Sequence, residues 1–234
     1  MSLSDLPPLR ESLAAEGLLA RKSFGQHFLL DLNVTRKIAR LAEPLQGFVA
    51  LEVGPGPGGL TRALLESGAD HVVAVEKDPR FLPLLAELDQ AAPGRLTVVQ
   101  ADALVVDEQA LAGAGRPLKI VANLPYNVGT PLLIKWLTGG LDWSALVLMF
   151  QKEVAQRITA APGSDAYGRL SVICQAAATA TLAMNLPARA FTPPPKVDSA
   201  VVVLTPRPDA PSLHRLKKLE RVTAAAFGQR RKML

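Results

Sequence analysis

Short apolar runs alternate with amphipathic stretches along most of this chain. Residues 48–53, 71–75, 96–99, 118–122 and 145–150 are each dominated by Val, Leu, Ile or Ala, with no wet face at every second position. Runs of that length and continuity read as strands buried on both faces. Between them the periodicity changes. Residues 60–66 read as a helix ending at Gly68, and Asp78-Pro79 caps a helix that turns Leu82, Leu84, Leu85 and Leu88 inward. Asp accepts a first-turn N–H, and Pro has none left unsatisfied there. A helix rich in Arg36, Lys37 and Arg40 follows Asn33 and stops before Pro44, and another opens near Pro131. Two further strands are expected near 181–185 and 200–204, joined by a proline-rich connection in place of a helix. Residues 1–21 read as a mobile or loosely helical leader, and 213–234 as a closing helix.

Strands of this kind separated by helices predict an α/β fold with a doubly wound, mostly parallel sheet. Ligands in such sheets gather at the carboxyl ends of the strands. The residues at or just past successive strand ends are Gly54, Glu76, Asp102 and Asn123, all polar or glycine, and they should line one edge.

Composition narrows the classes. With 234 residues, 49% of them hydrophobic, the chain can bury one full core and a small appendage. The single cysteine, Cys174, makes no internal disulfide, and with three histidines it offers no metal cluster. The first residues lack a secretory pattern and no apolar run is long enough for a membrane span, so a soluble cytoplasmic protein is expected. The net charge of +5 is uneven. Residues 1–42 carry six Lys/Arg against four Asp/Glu, residues 207–234 eight against two, and the middle twelve against fifteen. Basic ends on a neutral-to-acidic body suit an enzyme acting on a polyanion, although basic termini can equally be solvated faces.

Two segments carry candidate chemistry. Gly54, Gly56 and Gly59 satisfy G-x-G-x-x-G after a strand, with Glu76 placed 22 residues beyond Gly54. That is also a dinucleotide fingerprint. Pro55 and Pro57, however, remove backbone N–H donors that a pyrophosphate would need. S-adenosylmethionine carries no phosphate, and its ribose hydroxyls and adenine amine suit carboxylates such as Glu76 and Asp102. The second segment is Asn123-Leu124-Pro125-Tyr126, at the end of the run 118–122. The Asn oxygen and the Leu124 carbonyl can accept both hydrogens of a planar exocyclic amine while the Tyr ring stacks on its base. The alternative is an ordinary turn. Together the two segments suggest methyl transfer to adenine. The methyl is already activated on its sulfonium, so no metal is expected.

Taken in order, the motifs resemble those of the small-subunit ribosomal RNA adenine dimethyltransferases of the KsgA type. The match runs from Lys22-Ser23-Phe24-Gly25-Gln26-His27-Phe28-Leu29 through Glu52-Val53-Gly54-Pro55-Gly56 and the Asn123 tetrapeptide to Gln151-Lys152-Glu153-Val154 and Tyr167-Gly168-Arg169-Leu170-Ser171. It continues with Phe191-Thr192-Pro193-Pro194-Pro195-Lys196-Val197-Asp198-Ser199-Ala200-Val201 and Gln229-Arg230-Arg231-Lys232. The resemblance implies a seven-stranded, Rossmann-like methyltransferase sheet. It also implies dimethylation of two adjacent adenines in a hairpin near the 3′ end of small-subunit rRNA, within a pre-assembled small subunit, by a monomer. By position the donor would be held by His27, Leu29, Gly54, Glu76, Asp102 and Asn123, with His27 acting through its backbone. The acceptor would meet Asn123, Leu124, Pro125, Tyr126 and, as a second stacking ring, Phe191. Read from the residues alone, Phe191 is a core side chain. Lys196 and Arg169 could meet RNA phosphate or structural carboxylates.

The same resemblance divides the chain into a methyltransferase domain over 1–206, with a basic leader, and the start of a C-terminal helical RNA-binding domain over 207–234. Family members usually continue for several more helices. Two alternatives share this fold: a large-subunit rRNA adenine dimethyltransferase, and a non-catalytic ribosome-assembly or transcription-associated factor. The Phe191 block and the Tyr167 segment favour the small-subunit type, and the intact Asn123 motif argues for catalysis.

Overall fold

The computed structural model describes residues 2–18, 27–113 and 115–227. The strands in chain order are Phe28–Leu29 (β1), Val49–Val53 (β2), His71–Glu76 (β3), Leu96–Gln100 (β4), Leu118–Asn123 (β5), Ala145–Gln151 (β6), Ala178–Leu186 (β7), Phe191–Thr192 (β8) and Ser199–Pro206 (β9). The α-helices are Leu9–Ala15 (α1), Leu32–Arg40 (α2), Gly59–Glu66 (α3), Leu82–Ala91 (α4), Glu108–Ala112 (α5), Gly129–Thr138 (α6), Lys152–Ile158 (α7), Arg169–Ala177 (α8) and Leu213–Phe227 (α9).

Seven strands form one sheet in the order β4-β3-β2-β5-β6-β9-β7, parallel from β4 to β6. Strand β9 runs antiparallel between β6 and β7. The expected doubly wound, mostly parallel architecture is present. Strand order reverses between β2 and β5, and the register Leu51↔Ile120 brings their carboxyl ends level. A crevice opens at such a switch point.

Side-chain alternation explains why these runs are apolar throughout. Val49, Leu51 and Val53 enter one core layer, shared with Leu132, Trp136 and Ile173, while Ala50 enters the opposite layer with Ile38, Leu64 and Leu85. The one charged residue inside β5, Lys119, is buried and donates to the carbonyls of Ala42 and Pro44. Its ammonium also lies 4.0 Å from the Phe48 ring centroid, so it ties the chain just past α2 to the sheet.

Several expectations need adjustment. The leader is not loose where it is described: α1 docks with Leu9 and Leu13 buried, because their i,i+4 spacing puts both on one face. Leu13 packs with Phe28, Phe81 and Leu84. Strand β7 extends beyond 181–185 at both ends. It lies at the sheet edge with alternate residues exposed, so its Thr and Ala positions carry little apolar signal. Helices α5, α7 and α8 are additional to the elements expected from the pattern, α5 and α7 being only five and seven residues long. Helix α9 packs on α6 and α8 with Leu216 and Thr223 buried, while Arg169 forms an ion pair with Glu220. Arg169 therefore meets a structural carboxylate. Residues 19–21 of the leader, Lys22 to Gln26, and Gln229-Arg230-Arg231-Lys232 lie outside the described residues. No helix among the described residues is long and apolar enough to cross a membrane.

Candidate active site

A cavity of about 450 Å³ opens at the carboxyl ends of β2, β3 and β5. Its floor is the glycine loop after β2. Gly54 has a φ of +69°, which a side-chain-bearing residue rarely adopts, and a Cβ there would meet Pro125 at 3.6 Å. The glycine loop and the Asn123 turn are thus packed against one another. At Gly59 a Cβ would sit 2.7 Å from Leu9 and 3.0 Å from the Leu29 carbonyl, so only glycine lets α3 start this close to β1.

Two carboxyls face this space. Glu76, at the end of β3, is buried and held by two backbone donors, Gly56 N–H at 3.0 Å and Asp78 N–H at 2.7 Å. Burial pushes its pKa up, and those two N–H groups oppose the shift. Each oxygen keeps a lone pair for a ligand hydroxyl. Glu52 is buried at 1% exposure on the cavity wall, with Oε2 accepting from Thr61 Oγ1 at 2.6 Å. Burial, with the nearby Glu76 charge adding to it, pushes its pKa up to about 8.

That value gives a stability prediction with a definite sign. Between the ordinary carboxyl value and about pH 8 the native state holds a proton on Glu52 that the unfolded chain has lost. Stability should therefore fall as pH rises through this window. Thermal melts of the ligand-free protein from pH 5 to 8.5 should show the decline, and Glu52→Gln should flatten it. An unchanged slope in the variant contradicts the assignment.

Asn123, at the end of β5, lines the cavity, with Nδ2 3.5 Å from the His27 carbonyl. That orientation leaves Oδ1 as the free acceptor. Leu124 and Pro125 complete the turn, and the Pro125 carbonyl accepts from Val128 and Gly129 N–H. The Tyr126 ring is half-buried on the wall, and its hydroxyl bonds Ser199 Oγ at 2.8 Å. His27 and Leu29 both line the cavity. The His27 imidazole is occupied elsewhere, with Nδ1 2.8 Å from the Pro193 carbonyl.

Two residues expected here stand outside the cavity lining. Phe191 is 3% exposed and packs in the core, its strand β8 pairing with β1 at Leu29↔Phe191. It holds the segment that carries His27 and Leu29. Asp102 turns away to Lys77 at 2.8 Å and caps the N–H of Leu104; the Lys77 ammonium is the main cause of its lowered pKa.

Six lining residues carry no role that the sequence alone assigns: Phe28, Thr35, Glu52, Leu60, Phe81 and Asn127. Phe28 and Phe81 meet edge to face with centroids 5.4 Å apart, giving the cavity an aromatic wall backed by Leu13. Phe28 and Glu52 belong to the family-like segments 22–29 and 52–56. Phe81 had no local signal, since it reaches the site only through the turn Pro79–Phe81 before α4.

The profile of the ribosomal RNA adenine dimethylase family matches residues 17–234, most of the chain and every site residue above. The chain belongs to that family. Curated relatives agree. The ribosomal RNA small subunit methyltransferase A of Phenylobacterium zucineum is 70% identical over 234 residues, covering all of this chain and 81% of that protein. Its namesake from Caulobacter vibrioides is 66% identical over 216 residues, covering 92% of this chain and 83% of the relative. Among solved structures, a dimethyladenosine transferase from Plasmodium falciparum superposes with a TM-score of 0.75 at 29% identity, covering 89% of this chain and 73% of that one. The 23S rRNA methyltransferase ErmE gives 0.71 at 29% identity, covering 86% and 79%. Membership in the dimethylase family fits the donor set of the cavity. Its loop is short of N–H donors for phosphate, and its carboxyls suit hydroxyl and ammonium groups. Among the described residues no group of His, Cys, Asp and Glu side chains could hold a metal ion.

Proposed function

We propose that this chain methylates the exocyclic amines of two adjacent adenines near the 3′ end of small-subunit rRNA, giving N6,N6-dimethyladenosine, with S-adenosylmethionine as donor. The observation that carries the reading is the cavity itself. It joins a phosphate-poor glycine loop, two buried carboxyls and the Asn123 turn in one space.

Bound there, S-adenosylmethionine supplies a methyl group already activated on a sulfonium. Glu76, held by two backbone N–H groups, accepts from the ribose hydroxyls. Glu52, with one oxygen free of Thr61, receives the donor's ammonium and gives up its own proton to solvent as that charge arrives. Phe28 and Phe81 supply apolar wall for the adenine. His27 and Leu29 close the cavity through their backbone.

The chain's main task lies with the acceptor amine, whose lone pair is delocalised into the ring. Asn123 Oδ1 and the Leu124 carbonyl accept its two hydrogens, which draws the nitrogen toward tetrahedral geometry and frees the lone pair. Pro125 fixes that turn. Catalysis is positioning and electrostatics, with no protein nucleophile. The target base leaves its stack at a cost of a few kcal/mol, offset by stacking on Tyr126. Phe191 serves by anchoring β1. Loss of the proton follows methylation and needs no strong base.

The substrate is assigned as the small subunit and not the large one, on the names carried by the 70% and 66% identical relatives. We place the protein in the cytoplasm as a monomer acting on pre-assembled small subunits. Labelled donor offered in parallel with undermethylated small subunits, large subunits and naked rRNA tests this. Label should enter small subunits most. Preferential labelling of large subunits would favour the other dimethylase class, and none at all a binding factor.

RNA contact is assigned to the basic helix faces, with residues 207–234 as the start of an RNA-binding portion beside the 1–206 domain. Arg215, Lys217, Lys218 and Arg221 are exposed along α9, as are Lys37 and Arg40 on α2, whereas Arg36 is engaged by Glu66 at 2.7 Å. Reversing the charges of Lys217 and Lys218 should weaken rRNA binding and flatten its salt dependence by about 0.7–0.9 log units per lost phosphate contact. Stability should shift by no more than about 0.5 kcal/mol, as for solvated surface positions. An unaltered salt slope would place the RNA surface elsewhere.

A further inference from the structure

We infer that Ser199 is a positioning residue for the Tyr126 ring, setting the orientation in which the ring meets the flipped base. The inference rests on the reading of Tyr126 as the stacking surface for the target adenine. Tyr126 sits in the turn after β5, outside any regular element, so its backbone alone leaves the ring two free side-chain torsions. Its hydroxyl bonds Ser199 Oγ at 2.8 Å.

Ser199 is well suited to act as a fixed post. It is the first residue of β9 and is fully buried, paired to Gln151 of β6 on one side and to Leu186 of β7 on the other. The residue before it is also pinned: the Asp198 carbonyl accepts from Lys152 N–H at 2.9 Å, and its carboxylate from Ala188 N–H at 2.9 Å. Strand β6 lies between β5 and β9, so the Tyr126–Ser199 bond reaches over a strand to tie the catalytic turn to the antiparallel end of the sheet. A buried hydroxyl needs a partner, and Tyr126 provides it. A stacking surface must be held to within about 10–20° to be productive, so loss of the bond should slow transfer without weakening donor binding.

The test is a double-mutant cycle in steady-state methyl transfer to undermethylated small subunits, with donor affinity from calorimetry and melting temperature for each variant. Ser199→Ala and Tyr126→Phe should each lower kcat by about five- to tenfold, the scale of one hydrogen bond, with donor affinity unchanged. The double variant should be no slower than the slower single variant, because both remove the same bond. Ser199→Thr should restore most of the rate. Multiplicative losses in the double variant would overturn the inference. If Ser199→Ala folds poorly, Tyr126→Phe decides alone: a slowed, normally melting enzyme supports the inference, and a wild-type rate overturns it. Tyr126→Ala separates the two levels. If it is slow while Tyr126→Phe is not, only the positioning role fails; if it too runs at the wild-type rate, the stacking reading fails with it.

Discussion

Replacing Asn123 with Ala should lower methyl transfer by on the order of 10²-fold or more while the donor still binds. That is the scale for removing one preorganised polar group from a site where charge develops. The amide nitrogen faces the His27 carbonyl at 3.5 Å, which leaves its oxygen to the acceptor amine. Ala retains the turn, since Pro125 and its carbonyl contacts to Val128 and Gly129 remain. The effect should appear in single-turnover transfer at saturating donor, with calorimetry showing at most a modest loss of donor affinity. Near-normal turnover would remove Asn123 from the chemistry. A loss of donor affinity matching the loss of rate would instead make it a donor-binding residue.

Replacing Glu76 with Ala should weaken donor binding by about 1.5–3 kcal/mol, as expected for charge-assisted hydrogen bonds. That corresponds to roughly ten- to 150-fold in affinity. The carboxylate has a second task, because it also receives the N–H groups of Gly56 and Asp78. Glu76→Gln, which keeps the size and one acceptor, should fall between wild type and Ala. Calorimetry with S-adenosylmethionine and with its demethylated product should give the same order, and NAD should not bind. Unchanged affinity in Glu76→Ala would take the residue off the ribose, and NAD binding in place of the sulfonium donor would refute the reading of the loop.

The architecture was legible because it rests on local pattern. Runs such as Leu118 to Ala122 are apolar at every position but Lys119, and the structure buries both faces of β5 as that pattern requires. Glu76 and Asn123 could be placed for the same reason: the end of a parallel strand is a position on the sheet edge, whatever the rest of the chain does. Long-range packing was not legible. Nothing local to Phe191 tells a stacking ring from a core ring; its burial follows from β8 pairing with β1, where its partner Leu29 lies 162 positions away. Asp102 likewise sits at the right strand end, but Lys77, from the neighbouring strand's loop, turns its carboxylate aside. Phe81 joins the cavity wall, and Leu13 backs it, only because α1 and the turn before α4 converge on Phe28. Their types announce burial, not against what.

The central claim is that this cavity dimethylates adenine amines of small-subunit rRNA. The most direct measurement is nucleoside mass spectrometry of rRNA from undermethylated small subunits after incubation with the protein and S-adenosylmethionine. The account predicts N6,N6-dimethyladenosine at two adjacent positions near the 3′ end, absent without donor and strongly reduced with Asn123→Ala. Methyl groups on another base, on ribose, or only on large-subunit rRNA would contradict it.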